Sequence, residues 1–217
     1  MISRTCLSNN YLLQEVLNSC KHRAKLKRLP NGIVPISYNQ QRSSFFNIAE
    51  SFSRKKEYLG RKLVGYSREQ MFEVVADVEN YKTFVPFCKK SLVTFKSDEK
   101  LIGSLTIGFP PIVESYTSHV TLDKPKLVKA NCFDGKLFDH LVTMWRFHRG
   151  LEDVPQSCVI DFYVSFEFKS LLHSHLAHMF FNELVRQMEK AFFNEAQVRY
   201  GKPTIPIHKL PVNVSEN

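Results

Sequence analysis

LHSHLAHMFFNELVRQMEKAFFNEAQVRY, residues 172–200, contains neither Gly nor Pro and stops just before Gly201 and Pro203. The absence of breakers and the Gly stop predict one helix, about 43 Å long at the usual rise. A helical wheel gathers Leu176, Ala177, Phe180, Phe181, Leu184, Met188, Ala191, Phe192 and Val198 on one broad face. His175, Asn182, Arg186, Glu189, Lys190 and Gln197 fall on the other. So wide an aromatic face needs a large apolar surface to lie on, and a curved antiparallel sheet offers one.

The residues before the helix supply such a sheet. Cys158, Ile160, Phe162, Val164, Phe166 and Phe168 alternate with Asp161, Tyr163, Ser165 and Glu167, the pattern of a strand with one buried face. Further strands are expected at 55–66, 89–95, 101–107, 112–122, 127–133 and 137–147, with turn residues between them. In 137–147, Leu141, Trp145 and Phe147 share a face with Asp139 and Thr143. Most connections are short enough for hairpins, so the sheet is antiparallel. Ser67-Arg-Glu-Gln70 is a capping box that starts a short helix burying Met71, Val74 and Val75. Tyr81, Phe84, Val85, Pro86 and Phe87 follow as an aromatic segment. The order β-α-α, six strands and a final helix is that of an α+β helix-grip fold, a curved sheet wrapped around a long C-terminal helix. The predicted organisation is a leader at 1–45, a domain at 46–200 and a tail at 201–217.

The chain has 217 residues and a net charge of +9. Residues 1–49 hold seven Lys or Arg and one Glu, which is 7 − 1 = +6, so the other residues carry 9 − 6 = +3. The basic excess belongs mostly to the leader, and no nucleic-acid partner is expected. Leu12, Leu13, Val16 and Leu17 beside Lys21 and Lys25, with almost no acids, fit a mitochondrial presequence. A disordered basic tail fits the same residues. No apolar run approaches the length needed to span a bilayer.

Leu63-Val-Gly-Tyr-Ser67, Met71-Phe-Glu-Val-Val75 and Asn80-Tyr-Lys-Thr-Phe-Val-Pro-Phe-Cys-Lys-Lys90 carry a resemblance. So do Gly108-Phe-Pro-Pro-Ile-Val-Glu-Ser-Tyr-Thr-Ser118, Trp145-Arg-Phe147 and Asp161-Phe-Tyr-Val-Ser-Phe-Glu-Phe168. Together, over about 45–200, they resemble the coenzyme Q-binding protein family, mitochondrial relatives of the polyketide cyclase and START lipid-transfer domains. The resemblance implies a ubiquinone-binding carrier or chaperone on the matrix side of the inner membrane. It implies support for respiration, contacts with respiratory or quinone-biosynthesis complexes, and a cavity between sheet and final helix. The expected cofactor set is empty, with ubiquinone as bound ligand.

An isoprenoid quinone needs aromatic and aliphatic walls and a few hydrogen-bond donors. Phe84, Pro86, Phe87, Trp145, Phe147, Phe162, Phe166, Phe180, Leu184 and Met188 have that chemistry, although each also reads as plain core. Phe109, Pro110, Pro111 and Glu114 are candidates for the cavity mouth; Glu114 reads either as a brace for the mouth loop or quinone head, or as a surface turn carboxylate. Met179, Arg186, Lys190 and Phe193 lie opposite Leu184 and are candidates for contact with an anionic membrane, while packing of Met179 and Phe193 under the leader or the tail from Lys202 to Asn217 fits them equally. His173, His175 and His178 do not share a face, and the five cysteines form no CxxC pair, so no metal site is indicated. Neither GxSxG, HExxH nor a phosphate-binding Gly loop occurs. A binding protein is therefore expected rather than an enzyme. A cyclase of this fold, or a ribosome- or protein-binding module like its bacterial relatives, remains the alternative.

Overall fold

The computed structural model describes residues 54–109, 112–132, 134–136, 138–169 and 171–212, without the side chains of 109, 112 and 171–180. The expected leader, Pro110 and Pro111 lie outside the described residues. Among those described, the strands are β1 (Lys55–Val64), β2 (Cys88–Lys96), β3 (Lys100–Phe109), β4 (Ile112–Asp123), β5 (Leu127–Cys132), β6 (Phe138–Arg149), β7 (Cys158–Phe168) and β8 (His208–Leu210). The helices are α1 (Arg68–Ala76), α2 (Tyr81–Phe84) and α3 (Leu171–Tyr200), with a 3-10 turn at Val78–Asn80.

All eight strands form one curved antiparallel sheet in the order β2-β3-β4-β5-β6-β7-β1-β8. The register follows the pleat. Gly60, Phe162, Trp145 and Val128 are successive cross-strand partners on the inner face, and Arg61, Asp161, Arg146 and Leu127 on the outer. The capping box forms as expected: Gln70 N–H donates to Ser67 Oγ at 3.2 Å, and Ser67 N–H donates to Gln70 Oε1 at 2.9 Å. α1 then buries Met71, Phe72, Val74 and Val75.

Four differences from the sequence expectations have local causes. First, the buried stripe of α3 runs through Val185, Glu189, Phe192 and Ala196, so the helix is rotated from the expected face. Val198 is 78% exposed, whereas Phe193, expected on the exposed back as a membrane contact, is 7% exposed. Four phenylalanines spread around the helix make the wheel's apolar centre ill-defined, and packing on β1 decides it. Second, Glu189 is buried because Lys62 and Tyr58 of β1 meet it. Third, a bulge between Phe138 and His140 turns Asp139 outward towards Arg54. Fourth, residues after Gly201, expected only as a tail, add β8, whose Lys209 pairs with Lys62. Gly201 takes φ +83°, which ends α3; its carbonyl accepts from Tyr66 Oη at 2.9 Å, and Thr204 N–H donates to Gly65 O at 3.0 Å. A Cβ at Gly65 would lie 2.5 Å from Ile205 N, so only glycine lets the tail pass so close.

Candidate functional site

The inner face of the sheet divides into two halves along α3. Beneath the C-terminal half, the aromatic rings fill one another's space. Trp145 packs against Phe162 at 4.2 Å and against Phe192 at 4.9 Å between centroids, both pairs tilted. Phe192 in turn meets Tyr81 and Phe84, each at 5.4 Å. Phe147 is buried against Phe72 of α1. Trp145, Phe147 and Phe162, expected to line a cavity, are thus buried in the core.

The half nearer the 134–136 turn is different. β4 points Glu114, Tyr116, Ser118 and Val120 inward, alternating with the exposed Val113, Ser115 and His119 and the half-buried Thr117. Ile107, Tyr116, Ala130, Leu141, Phe181 and Met188 face the core but are only partly buried. They pack against the buried cluster while keeping part of their surface accessible, and a partly accessible apolar face has the chemistry of a ligand wall. Phe138 closes one side, meeting Tyr116 at 5.4 Å and Phe166 at 5.2 Å, with Phe166 edge-on to Phe168 at 4.2 Å. Of the expected lining, Phe166, Leu184 and Met188 belong here, half-buried, while the side chain of Phe180, like that of Met179 expected as a membrane contact, lies outside those described. Sequence reasoning missed Tyr116 and Ser118, although the alternation Glu114, Tyr116, Ser118, Val120, Leu122 carries the signal.

Polar groups on this wall are few. Glu114 is 6% exposed, so the surface-carboxylate reading gives way. Its Oε1 accepts from the Lys136 backbone N–H, bracing the 134–136 turn, and Lys169 Nζ donates to Gly135 O at 2.8 Å from the other side. Burial pushes the Tyr116 phenol far up, so the hydroxyl keeps its proton. Burial also raises the Cys132 thiol, to about 11, which makes it inert. Phe87 adopts φ +65°, uncommon for so bulky a residue, and its carbonyl accepts from Gly108 N–H at 2.8 Å. That bond ties the aromatic segment to the Gly108–Phe109 end of β3.

Phe84 and Pro86 line an open cleft of about 460 Å³ on the outer side of α3, with Ala191, Asn194 and Val198. Lys190 borders the same cleft, and Arg186 is exposed beside Glu183, 3.7 Å away. Phe193 instead lies under Lys62, whose Nζ sits 5.3 Å from the ring centroid. The expected membrane face therefore keeps its cations but loses Phe193. The buried cluster Tyr58, Lys62 and Glu189 was also missed. A carboxylate at the centre of the repeat Val185, Glu189, Phe192, Ala196 was its signal.

Comparison with known proteins places this geometry. Residues 64–193 match the family model described as polyketide cyclase / dehydrase and lipid transport. The mitochondrial coenzyme Q-binding protein COQ10 of Drosophila melanogaster is 52% identical over 72% of this chain. That match spans 66% of the fly protein's own length, just under two thirds. The mitochondrial coenzyme Q-binding protein COQ10 homolog B of Xenopus laevis is 45% identical over 88% of this chain and 79% of its own. Among solved structures, the Zhui aromatase/cyclase from Streptomyces sp. R1128 superposes with a TM-score of 0.59 at 14% identity, covering 69% of this chain and 99% of that one. At that identity the likeness concerns the fold alone.

Proposed function

This chain belongs to the coenzyme Q-binding protein family, and we propose on that footing that it binds coenzyme Q and carries or chaperones it in the mitochondrion. The observation that supports the reading most directly is the partly covered inner wall of Ile107, Tyr116, Ala130, Leu141, Phe181 and Met188. An isoprenoid tail laid on that wall removes apolar surface from water, worth about 25 cal/mol per Å². The Tyr116 phenol, held protonated, offers a quinone carbonyl a hydrogen bond. The quinone enters past the 134–136 turn that Glu114 and Lys169 brace.

The proposed site of action is the matrix side of the inner membrane. The protein contacts the bilayer peripherally there, because its ligand resides in it, and hands the quinone to respiratory or quinone-biosynthesis enzymes. No helix among the described residues is long and apolar enough to cross a membrane. Binding rather than catalysis is proposed because Tyr116 is kept neutral and Glu114 is engaged in bracing a turn, which leaves neither poised as a base.

The test is native mass spectrometry with lipid extraction on the purified full chain and on Ala130→Phe, which fills the wall. Wild type is expected to retain a quinone and the folded variant to lose most of it. A wild-type protein that copurifies with no quinone and takes none up overturns the function. Undiminished quinone in Ala130→Phe overturns the location.

A further inference from the structure

At the opposite end of the strands from the 134–136 turn, a groove of about 380 Å³ opens between the start of α1, the β4–β5 turn and the end of β6. Arg68, Lys126, Arg146 and Arg149 line it, with Asp123 as the one acid and Leu127 and Phe147 as apolar wall. Phe147 N–H donates to Lys126 O at 2.9 Å, which holds the turn against β6. The cations are poorly neutralised. Arg146 lies beside Asp161 in the sheet, but that carboxylate is occupied by Arg61 at 3.4 Å and His148 Nε2 at 2.9 Å. Among the described residues Lys126, Arg146 and Arg149 have no carboxylate within 4.0 Å, and Arg68 has only Glu69, at 3.8 Å. Three guanidinium forks and an ammonium against one free carboxylate leave a strongly positive concavity. Its low-dielectric wall strengthens the field inside.

We propose that this groove binds a phosphate group. Guanidinium forks match phosphate oxygens bidentately, and several lining one recess favour a multiply charged tetrahedral anion over a single carboxylate. The site is separate from the quinone wall and does not depend on it. A soluble oligophosphate and a phospholipid head group present the same chemistry, and two probes tell them apart.

Full-chain protein is titrated with inorganic pyrophosphate by calorimetry. In parallel it is floated with phosphatidylcholine vesicles with and without phosphatidic acid. The groove variant is Arg146→Glu/Arg149→Glu. The control, with the same change in net charge, is Lys96→Glu/Lys100→Glu on the exposed β2–β3 hairpin. Each lost charge-assisted contact weakens binding about tenfold, so the groove variant is expected to lose about a hundredfold in affinity, and the control less than about twofold. Arg146→Lys/Arg149→Lys keeps the charge but not the forks and falls between them. Pyrophosphate binding that follows this order assigns a soluble phosphate. Vesicle binding that follows it, without pyrophosphate binding, assigns a lipid phosphate. Equal loss in the groove and control variants, or binding of neither probe, overturns the proposal.

Discussion

Lys62→Met breaks the buried contact that clamps α3 to β1. Lys62 Nζ lies 2.8 Å from Glu189 Oε2, and the side chains are 14% and 3% exposed. Without the lysine, Glu189 keeps only the Tyr58 hydroxyl, which donates to it at 3.1 Å. Removing one partner of a buried pair costs about 3–5 kcal/mol, because the remaining charge stays desolvated. Tyr58 and the partial access of water past position 62 put the expected loss near the lower end, about 3 kcal/mol. In a domain of this size each kcal/mol shifts melting by about 2–4 °C, so the midpoint falls by about 6–12 °C. Replacing both partners, as Lys62→Met/Glu189→Leu, removes the stranded charge and leaves the protein within about 1 kcal/mol of wild type. Urea unfolding of the wild type, both single variants and the double variant measures the coupling directly. A loss below about 1 kcal/mol in Lys62→Met, or a double variant as unstable as the sum of the singles, refutes the clamp.

Ser67→Ala removes one half of the capping box and is expected to cost about 1 kcal/mol in the same assay, while Ser67→Asn largely preserves stability. Tyr58 titrates at about 12 rather than 10.0, chiefly through burial and then through Glu189. Its contribution is therefore full below pH 10 and is lost as pH rises towards 12; ultraviolet titration of wild type against Tyr58→Phe should show one late phenol missing and a flatter loss of stability across that window.

The sheet was legible because its strands are long and one-sided. The alternation from Cys158 to Phe168 can satisfy only a pleat with one buried face, and the capping box at Ser67 announces its helix through two reciprocal bonds. The rotation of α3 was not legible, since Phe180, Phe181, Phe192 and Phe193 point to more than one side and Glu189 reads as a surface residue until Lys62 is placed opposite it. Nor does a local pattern reveal the bulge that turns Asp139 out. For the site, the aromatic inventory was legible, but the place of each ring in the fold was not. Whether a ring such as Trp145 fills the core or faces a ligand depends on which half of the helix covers its strand row. That is settled only by register between β6 and β7 and the docking of Phe192.

The position of β1 in the sheet has a consequence for how the molecule comes into being. Its partners are β7, where Lys55 meets Glu167 and Val64 meets Cys158, and β8, where Leu63 meets His208. The first strand among the described residues must therefore wait for β7 and β8, more than 90 residues later, before either of its edges is paired. Closing so long a loop is slow and comes late, since the ordering cost precedes the reward of the contacts. Until β7 and β8 have emerged, β1 displays two unpaired edges and an uncovered apolar surface, a form that holdase chaperones recognise.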